Sequence, residues 1–251
     1  MYEVRPKKAL GQHFLTDQTI AQAIVGSLRD DAQVLEVGPG TGVLTQYLLK
    51  KENTRLKVVE IDHESVEYLL AHFPALSCGL LEADFLKMPL DKVFDGTFSI
   101  IGNFPYNISS QIFFKILDFR DRVPEVVCMI QKEVAQRLAE PPGSKTYGIL
   151  SVLLQAWYDI EYLFTVGEGS FLPPPKVKSA VIRLTRNSRT DLGCDAEKFK
   201  KIVKATFGQR RKTLRNTLRA AGFSIEGLPY LDKRPEQLSV EDFIELTRAC
   251  K

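Results

Sequence analysis

Cysteine, histidine and tryptophan are scarce in this chain of 251 residues, which has four cysteines, three histidines and one tryptophan. The cysteines lie far apart, without a pair at the two-residue spacing of metal and redox motifs, and His13, His63 and His72 show no ligand spacing. Disulfide-rich secreted domains and structural zinc sites need such pairs. We therefore expect reduced thiols and no structural metal.

Long apolar runs are also missing. No stretch approaches the ~18 apolar residues of a membrane-spanning helix, and residues 1–8 lack the apolar segment that a signal peptide carries. With 44% hydrophobic and 26% charged residues, the composition is that of an ordinary globular protein. The sequence predicts a cytoplasmic protein without a membrane anchor, long enough for one large domain or for a medium and a small one.

Acidic residues are absent from one segment, residues 198–219, which holds nine basic residues. They are Lys198, Lys200, Lys201, Lys204, Arg210, Arg211, Lys212, Arg215 and Arg219. Because the whole chain has a net charge of +3, the remainder carries −6. One concentrated positive segment is typical of a surface that binds a polyanion; the alternative is a solvated helix face.

A glycine-rich turn lies between a predicted strand and a predicted helix. Residues 33–37 are apolar enough for a buried strand, residues 38–42 read Gly-Pro-Gly-Thr-Gly, and apolar residues from Val43 to Leu48 then take helical spacing. Gly38 and Gly40 let the backbone approach a ligand closely. The turn alone is a weak signal of a ligand site, because tight turns of many kinds use glycine.

The next predicted strand, residues 56–60, ends in Glu60, 22 positions after Gly38. That separation is close to the ~20 residues that place an acid on a ribose diol. The turn lacks the third glycine of dinucleotide sites and the Lys-Ser/Thr of triphosphate sites, which favours S-adenosylmethionine. Glu60 is the predicted ribose ligand, and Asp62 the predicted cap of the following helix. Asp84 and Phe85 suit the amino group and face of an adenine, or an ordinary turn.

The motif Asn103-Phe-Pro-Tyr106 follows another apolar stretch, residues 98–102. It places an amide, a stiff turn and an aromatic ring at the carboxyl end of a predicted strand, where open α/β sheets bind ligands. The Asn103 carbonyl can accept a hydrogen from an amine, and Tyr106 can stack on a flat heterocycle. The motif therefore predicts an amine-binding active site, with a proline turn beside a buried tyrosine as the alternative.

A stiff proline loop, residues 171–179, separates the last two of seven predicted strands. Either Phe171 packs the turn, or Phe171 and Lys176 form a base-stacking platform with a cation. The polar residues 187–195 predict a linker between a first domain, residues 1–187, and a helical second domain, residues 188–251. Ser239 and Asp242 form the capping box of the last predicted helix. Strands alternating with helices predict an α/β fold with a mostly parallel sheet.

Seven motifs together resemble the ribosomal RNA adenine dimethyltransferase family, most closely its bacterial small-subunit (16S) members. The likeness spans residues 5 to about 250, and seven motifs in order are far more specific than any one of them. The motifs are Gly11-Gln-His-Phe-Leu15, Glu36-Val-Gly-Pro-Gly-Thr-Gly42, Val59-Glu-Ile-Asp62, Ala83-Asp84, Asn103-Phe-Pro-Tyr106, Phe171-Leu-Pro-Pro-Pro-Lys-Val-Lys-Ser-Ala180 and Gln209-Arg-Arg-Lys-Thr-Leu-Arg215.

The resemblance implies a Rossmann-like class I methyltransferase domain that moves methyl groups from S-adenosylmethionine to N6 of two adjacent adenosines in the 3′-terminal hairpin loop of 16S rRNA. It implies a role in small-subunit biogenesis, a precursor of that subunit as partner, and a monomer. The implied cofactor residues are Gln12, His13, Leu15, Gly38, Gly40, Glu60, Ile61, Asp84, Phe85 and Asn103. The implied catalytic residues are Asn103, Pro105, Tyr106 and Phe171, and the RNA-binding residues are Lys176, Arg210, Arg211, Lys212 and Arg215.

Two positions depart from the family pattern, which often has Asn where this chain has His13 and Leu where it has Phe104. Neither change is expected to remove activity, although the bulkier Phe104 is expected to affect how the monomethylated base fits. Rival interpretations are dimethylation of 23S rRNA of the macrolide-resistance type, methylation of DNA adenine, or a non-catalytic ribosome-assembly or transcription factor on the same fold. The intact Asn103-Phe-Pro-Tyr106 motif argues against a factor that binds RNA without catalysis.

Overall fold

The computed structural model describes residues 4–29, 32–209 and 211–250, and its contacts divide the chain into two compact units. The first unit is Met1–Ala135 with Ile160–Arg186, and the second is Gln136–Asp159 with Asn187–Lys251. This last segment begins at Asn187, one residue before the start of the predicted second domain. Residues 136–159, which the sequence placed in the first domain, make their contacts with the C-terminal helices.

The first unit is built on a seven-stranded sheet. Its strands are β2 (Gln33–Val37), β3 (Arg55–Glu60), β4 (Leu80–Glu82), β5 (Ser99–Asn103), β6 (Glu125–Gln131), β7 (Tyr158–Val166) and β9 (Ser179–Arg186). They lie side by side in the order β4-β3-β2-β5-β6-β9-β7. A separate antiparallel pair joins β1 (Phe14–Leu15) to β8 (Phe171–Leu172). The strands from β4 to β6 are paired in parallel, and β9 runs antiparallel to β6. The predicted mostly parallel, Rossmann-like sheet is confirmed.

Helices alternate with these strands, as parallel connections require. The helices next to sheet strands along the chain are α1 (Gln18–Gly26), α2 (Thr45–Leu48), α3 (His63–His72), α4 (Ser109–Asp118) and α5 (Lys132–Ala139). Asp17 caps α1, because its carboxylate accepts the backbone N–H of Thr19 and Ile20. The helix predicted from Val43 begins only at Thr45, since the glycine turn continues through residue 44.

The second unit is helical. It contains α6 (Ile149–Gln155), α7 (Ala196–Phe207), α8 (Leu214–Ala220) and α9 (Val240–Ala249). The Phe207 ring lies near both Tyr147 and Phe243, with centroid distances of 6.4 and 6.0 Å, so aromatic rings pack its centre. The predicted capping box of α9 is confirmed, since Ser239 and Asp242 exchange hydrogen bonds. None of the helices formed by the described residues has the length and hydropathy of a membrane span.

Candidate active site

The carboxyl ends of β2, β3 and β5 open onto one cavity of about 270 Å³ in the first unit. This is the edge of a parallel sheet where α/β folds bind ligands. The cavity brings together three parts of the chain that the sequence singled out: the glycine turn, the acid after β3 and the motif after β5. Its walls include Gln12, His13, Gly38, Gly40, Glu60, Ile61, Asp84, Phe85, Asn103, Phe104, Pro105 and Tyr106.

Glu60 is buried at the end of β3, with 4% of its surface exposed, and binds the glycine turn. Its Oε2 accepts the Gly40 N–H at 3.1 Å, and its Oε1 accepts the N–H groups of Ile61 and Asp62 at 2.9 Å each. Burial raises the pKa of Glu60, while these three hydrogen bonds act in the opposite direction. A carboxylate has about four acceptor sites. One acceptor site therefore remains on Oε2, at the cavity wall, for a hydroxyl donor.

The glycine turn approaches the N-terminal arm (residues 7–16) more closely than any side chain would permit. Gly40 has φ of 55°, and a Cβ there would lie 2.8 Å from the Phe14 ring. Gly38, with φ of 67°, has open space where its Cβ would be, toward the cavity that it lines. The positive φ favours glycine at both positions, and at Gly40 the close Phe14 ring also excludes a side chain.

Asp84 and Phe85 form another wall of the cavity, after β4. The Asp84 carboxylate accepts the Leu86 N–H at 2.9 Å, which holds the turn. Lys115 on α4 supports this turn from behind: its Nζ lies 5.5 Å from the centroid of Phe85 and donates to the Met88 carbonyl at 2.5 Å. The predicted adenine-binding pair is thus held by a lysine that the sequence did not indicate.

Asp62 ties the N-terminal arm to the sheet rather than capping α3. Its carboxylate accepts no backbone N–H of that helix, whose residues are all described; instead it accepts from Lys7, from Gln12 at 3.2 Å and from the Ser65 hydroxyl at 3.1 Å. Burial would raise the pKa of Asp62, but these hydrogen bonds outweigh burial and the pKa is lowered. The predicted cap is therefore wrong in its partner, although Asp62 does occupy the N-cap position.

Asn103 points its amide between the arm and the cavity. Its Nδ2 donates to the His13 carbonyl at 2.9 Å, which leaves Oδ1 as the acceptor of this side chain. The strand brings Asn103 there by a close approach: a Cβ on Gly102 would lie 2.4 Å from the Val37 carbonyl oxygen. The end of β5 can therefore lie against β2 only if position 102 is glycine.

Tyr106 lies between the arm and the proline loop. Its hydroxyl is 2.5 Å from the Ser179 hydroxyl, and its ring stacks on His13 with a centroid distance of 5.4 Å and an angle of 26°. His13 in turn donates from Nδ1 to the Pro173 carbonyl at 2.9 Å, since a carbonyl can only accept. Burial raises the pKa of Tyr106, so the phenol stays protonated at neutral pH. One face of the Tyr106 ring is therefore occupied by His13.

Phe171 and Leu15, two of the predicted site residues, do not line this cavity. Phe171 is 4% exposed and packs in the hydrophobic core together with Leu15, its partner in the β1–β8 pair. Neither side chain lines the cavity. Phe104 does line it, while its fully buried ring packs edge-on against Phe113 at 5.9 Å. For Phe171 to stack on a base, its ring would have to leave the core.

Glu36, inside β2, is a fully buried acid behind the glycine turn. Its Oε2 accepts the Thr45 hydroxyl at 2.7 Å. Burial raises the pKa of Glu36 from its ordinary value of 4.5 to about 8, opposed in part by the Thr45 bond and reinforced by the charge of Glu60. The folded protein therefore holds a proton on Glu36 that the unfolded chain releases above pH 4.5.

The Glu36→Gln variant is expected to melt several degrees above the wild type at pH 8 and at the same temperature near pH 4.5. The raised pKa makes the wild type lose stability as pH rises from 4.5 to about 8, a loss that glutamine does not suffer while still accepting from Thr45. Thermal melts across that range measure the difference. A melting-temperature difference that is constant with pH would contradict the buried protonated acid.

Basic side chains are exposed on the second unit as the sequence indicated. Lys201, Lys204, Arg211, Lys212 and Arg219 are exposed. Arg215 is half-buried and pairs with Asp232 at 2.9 Å, and Lys198 donates to the Cys250 carbonyl. Arg210 lies outside the described residues. In the first unit, Lys176 is exposed on the proline loop.

Some contacts at the site carried no local sequence signal. Lys7 and Lys115 read as ordinary surface cations, and only the fold places them against Asp62 and Phe85. Asn107 was also missed: a Cβ on Gly11 would lie 2.7 Å from its side-chain oxygen, so it packs directly on the arm. The basic character of residues 5–8 was the one hint that the arm has acidic partners.

Known proteins resemble this chain over nearly its whole length. A family model described as "Ribosomal RNA adenine dimethylase" matches residues 4–229. The chain is 60% identical over 249 residues to "Ribosomal RNA small subunit methyltransferase A" of Parabacteroides distasonis, covering 97% of this chain and 93% of that protein.

Two solved structures show the same fold at lower identity. A dimethyladenosine transferase from Plasmodium falciparum has a TM-score of 0.78 at 24% identity, covering 93% of this chain and 96% of that one. The 23S rRNA methyltransferase ErmE has a TM-score of 0.66 at 23% identity, covering 93% and 99%. At these identities, the two structures support the architecture and say nothing of the target.

Proposed function

The chain belongs to the ribosomal RNA adenine dimethylase family, and from that membership we propose that it dimethylates N6 of two adjacent adenosines in the 3′-terminal hairpin loop of 16S rRNA, with S-adenosylmethionine as methyl donor. The single observation that carries the chemistry is the Asn103 amide, whose nitrogen is held by the arm while its oxygen is left as an acceptor. A cytoplasmic monomer acting in small-subunit biogenesis is part of this proposal.

The residues of the cavity fit S-adenosylmethionine. Glu60 has one acceptor site left for a ribose hydroxyl, and Asp84 with Phe85 presents an acid and a ring suited to an adenine. Gly38 has no Cβ to block a ligand, and Gln12, His13 and Ile61 complete the walls. When bound there, S-adenosylmethionine supplies an electrophilic methyl group on a sulfonium.

Asn103 and the following turn prepare the target amine. The adenine N6 lone pair is delocalised into the ring, so the amine is a poor nucleophile. Accepting one N6 hydrogen on Asn103 Oδ1 and the other on the Phe104 carbonyl favours a pyramidal nitrogen whose lone pair is available. Pro105 restricts the turn that positions these oxygens. Rate enhancement then comes from positioning and from carbonyl dipoles aimed at the nitrogen as it becomes positive.

Tyr106 provides the stacking surface for the target base. Because His13 covers one face of the ring, a base uses the other face. A paired or stacked adenine cannot reach the cavity, so the base must leave its stack, at a cost of a few kcal/mol that stacking offsets. Phe171 as a second stacking ring stays a prediction, since its ring is buried in the core.

Exposed basic side chains bind the phosphates of the RNA. Lys176 lies on the proline loop of the first unit, and Arg211 and Lys212 lie on the second. Arg210 and Arg215 belong to the same predicted set, although Arg215 already pairs with Asp232. Such contacts carry no sequence information but make binding dependent on salt.

Reversing two of these charges, in Arg211→Glu with Lys212→Glu, is expected to weaken RNA binding and to flatten its salt dependence by about 0.7–0.9 per lost phosphate contact. Filter binding at several salt concentrations measures both. The matched control reverses Lys50 and Lys92, two exposed lysines of the first unit that lie off the cavity. Equal salt slopes for the two double variants would contradict the assignment.

The proposed reaction is tested by mass spectrometry of rRNA after incubation with S-adenosylmethionine. Small ribosomal subunits from cells that lack the protein are expected to gain N6,N6-dimethyladenosine at two neighbouring positions. Large-subunit RNA is incubated and measured in parallel. Modification of 23S rRNA alone, with macrolide resistance on expression, would replace the 16S target by the rival one; modification of neither would leave a non-catalytic role.

A further inference from the structure

The proline loop presents an apolar side chain to solvent. Leu172 is 58% exposed, whereas Phe171 before it is buried. The alternation follows from the strand geometry of β8, which sends successive side chains to opposite faces. A single exposed leucine is ordinary on a protein surface; this one differs in how it is held and in what surrounds it.

The loop is anchored at regular intervals. Phe171 pairs with Leu15 in the β1–β8 ladder, Pro175 is buried, and Ser179 is buried with its hydroxyl 2.5 Å from that of Tyr106. The three consecutive prolines also restrict the backbone. Leu172 is thus an exposed apolar group on a stiff support, with little conformational freedom to lose when it binds.

The proline loop lies next to the ring of Tyr106, to which stacking on the target base is assigned. The Pro173 carbonyl, one residue after Leu172, accepts from His13 at 2.9 Å, and the His13 ring stacks on Tyr106. The backbone of Leu172 pairs with that of Phe14, which lines the cavity. The Leu172 backbone is therefore adjacent to Phe14 and to the Pro173 carbonyl, which contact the cavity wall and the His13 ring on Tyr106.

The charge around the leucine fits a nucleic acid. Lys176 and Lys178 are exposed on the same loop, and residues 172–179 include no acid. An apolar side chain followed on the same loop by two cations matches a base stack flanked by phosphates. A second protein chain offers no such charge pattern as a rule, because protein interfaces bury apolar cores with mixed polar rims.

We propose that Leu172 is a wedge that enters the RNA loop and fills the space vacated by the target adenine as the base turns into the cavity. Apolar side chains that insert between bases compensate the stacking lost on extrusion. This inference rests on the proposed function, because it needs an adenine to leave its stack.

Fluorescence of 2-aminopurine tests the wedge, because this base brightens when unstacked and has no N6 amine to be methylated. It replaces the first target adenine of an RNA hairpin, offered both free and inside reassembled small subunits, with S-adenosylhomocysteine present. At saturating full-length protein, Leu172→Ala is expected to reduce the fluorescence increase by roughly threefold or more. Leu172→Met, which keeps an apolar side chain of similar length, is expected to restore it.

Leu70→Ala is the matched control, since Leu70 is 41% exposed on α3 and lies off the cavity; it should behave as the wild type. An unchanged plateau for Leu172→Ala, in a wild type that methylates normal RNA, would overturn the wedge alone. A wild type that neither methylates nor brightens the probe would overturn the proposed function as well. Sedimentation showing that Leu172→Ala dissociates a dimer would assign Leu172 to self-association instead.

Discussion

Replacing Asn103 with alanine is expected to lower the rate of methyl transfer by about 10²–10³-fold and to change cofactor affinity by only a few-fold. The substitution removes the Oδ1 acceptor, whose direction is set by the hydrogen bond from Nδ2 to the His13 carbonyl. Because the acceptor acts on the amine as it becomes positive, its loss falls on the transition state. Single-turnover incorporation of labelled methyl groups measures the rate, and calorimetry with S-adenosylhomocysteine measures the affinity.

The matched variant is Asn107→Ala, which removes the same amide from the wall of the same cavity. The Asn107 side chain packs on Gly11 of the arm and has no assigned contact with the amine. Its replacement is expected to lower turnover far less than that of Asn103. Wild-type turnover in Asn103→Ala, or equal losses in both variants, would disprove the role of the Asn103 oxygen.

Replacing Glu60 with glutamine is expected to weaken cofactor binding by about 10- to 100-fold, the loss of one or two charge-assisted hydrogen bonds. An amide has one oxygen, so it cannot accept from the N–H of Gly40 and from those of Ile61 and Asp62 together. The NH₂ group of the glutamine then faces backbone N–H groups, either in the glycine turn or at the end of β3, and two donors repel each other. The acceptor for the ribose hydroxyl is lost as well. Calorimetry with S-adenosylhomocysteine measures the effect.

Glu82→Gln is the control for this charge change, because Glu82 lies directly opposite Glu60 on the neighbouring strand β4. Glu82 is exposed, contacts His63 and does not line the cavity. Its replacement should leave affinity within about twofold of the wild type, a change of under ~0.5 kcal/mol. If both variants bind equally well, Glu60 is not the ribose ligand.

Much of the fold and most cavity residues follow from local patterns in the sequence. Apolar stretches of five to seven residues predicted buried strands of a mostly parallel sheet, and Ser239 predicted a helix cap, all of which the structure contains. Glu60 and Asn103 were predictable because each ends a strand, and parallel strands end at one edge of the sheet. Periodicity and strand ends are local properties, so one sequence reveals them.

Errors arose where the partner is distant in sequence. Asp62 occupies a helix start, but its carboxylate binds Lys7 and Gln12, more than 45 residues earlier. Phe171 had two interpretations in the sequence, packing of the turn or stacking on a base; the fold places it in the core against Leu15, and base stacking stays a prediction. A residue's type and spacing do not indicate which of two faces it turns inward when the strand is only two residues long.

By itself the sequence determined the chemistry available at each strand end: a glycine turn, a buried acid after β3, and an amide with a tyrosine after β5. The tertiary structure decided which atoms remain for a ligand. The amide of Asn103 is oriented by a backbone carbonyl 90 residues away, and one face of Tyr106 is taken by His13. Asn103-Phe-Pro-Tyr106 supplies donors and acceptors locally, whereas their direction depends on contacts that only folding creates.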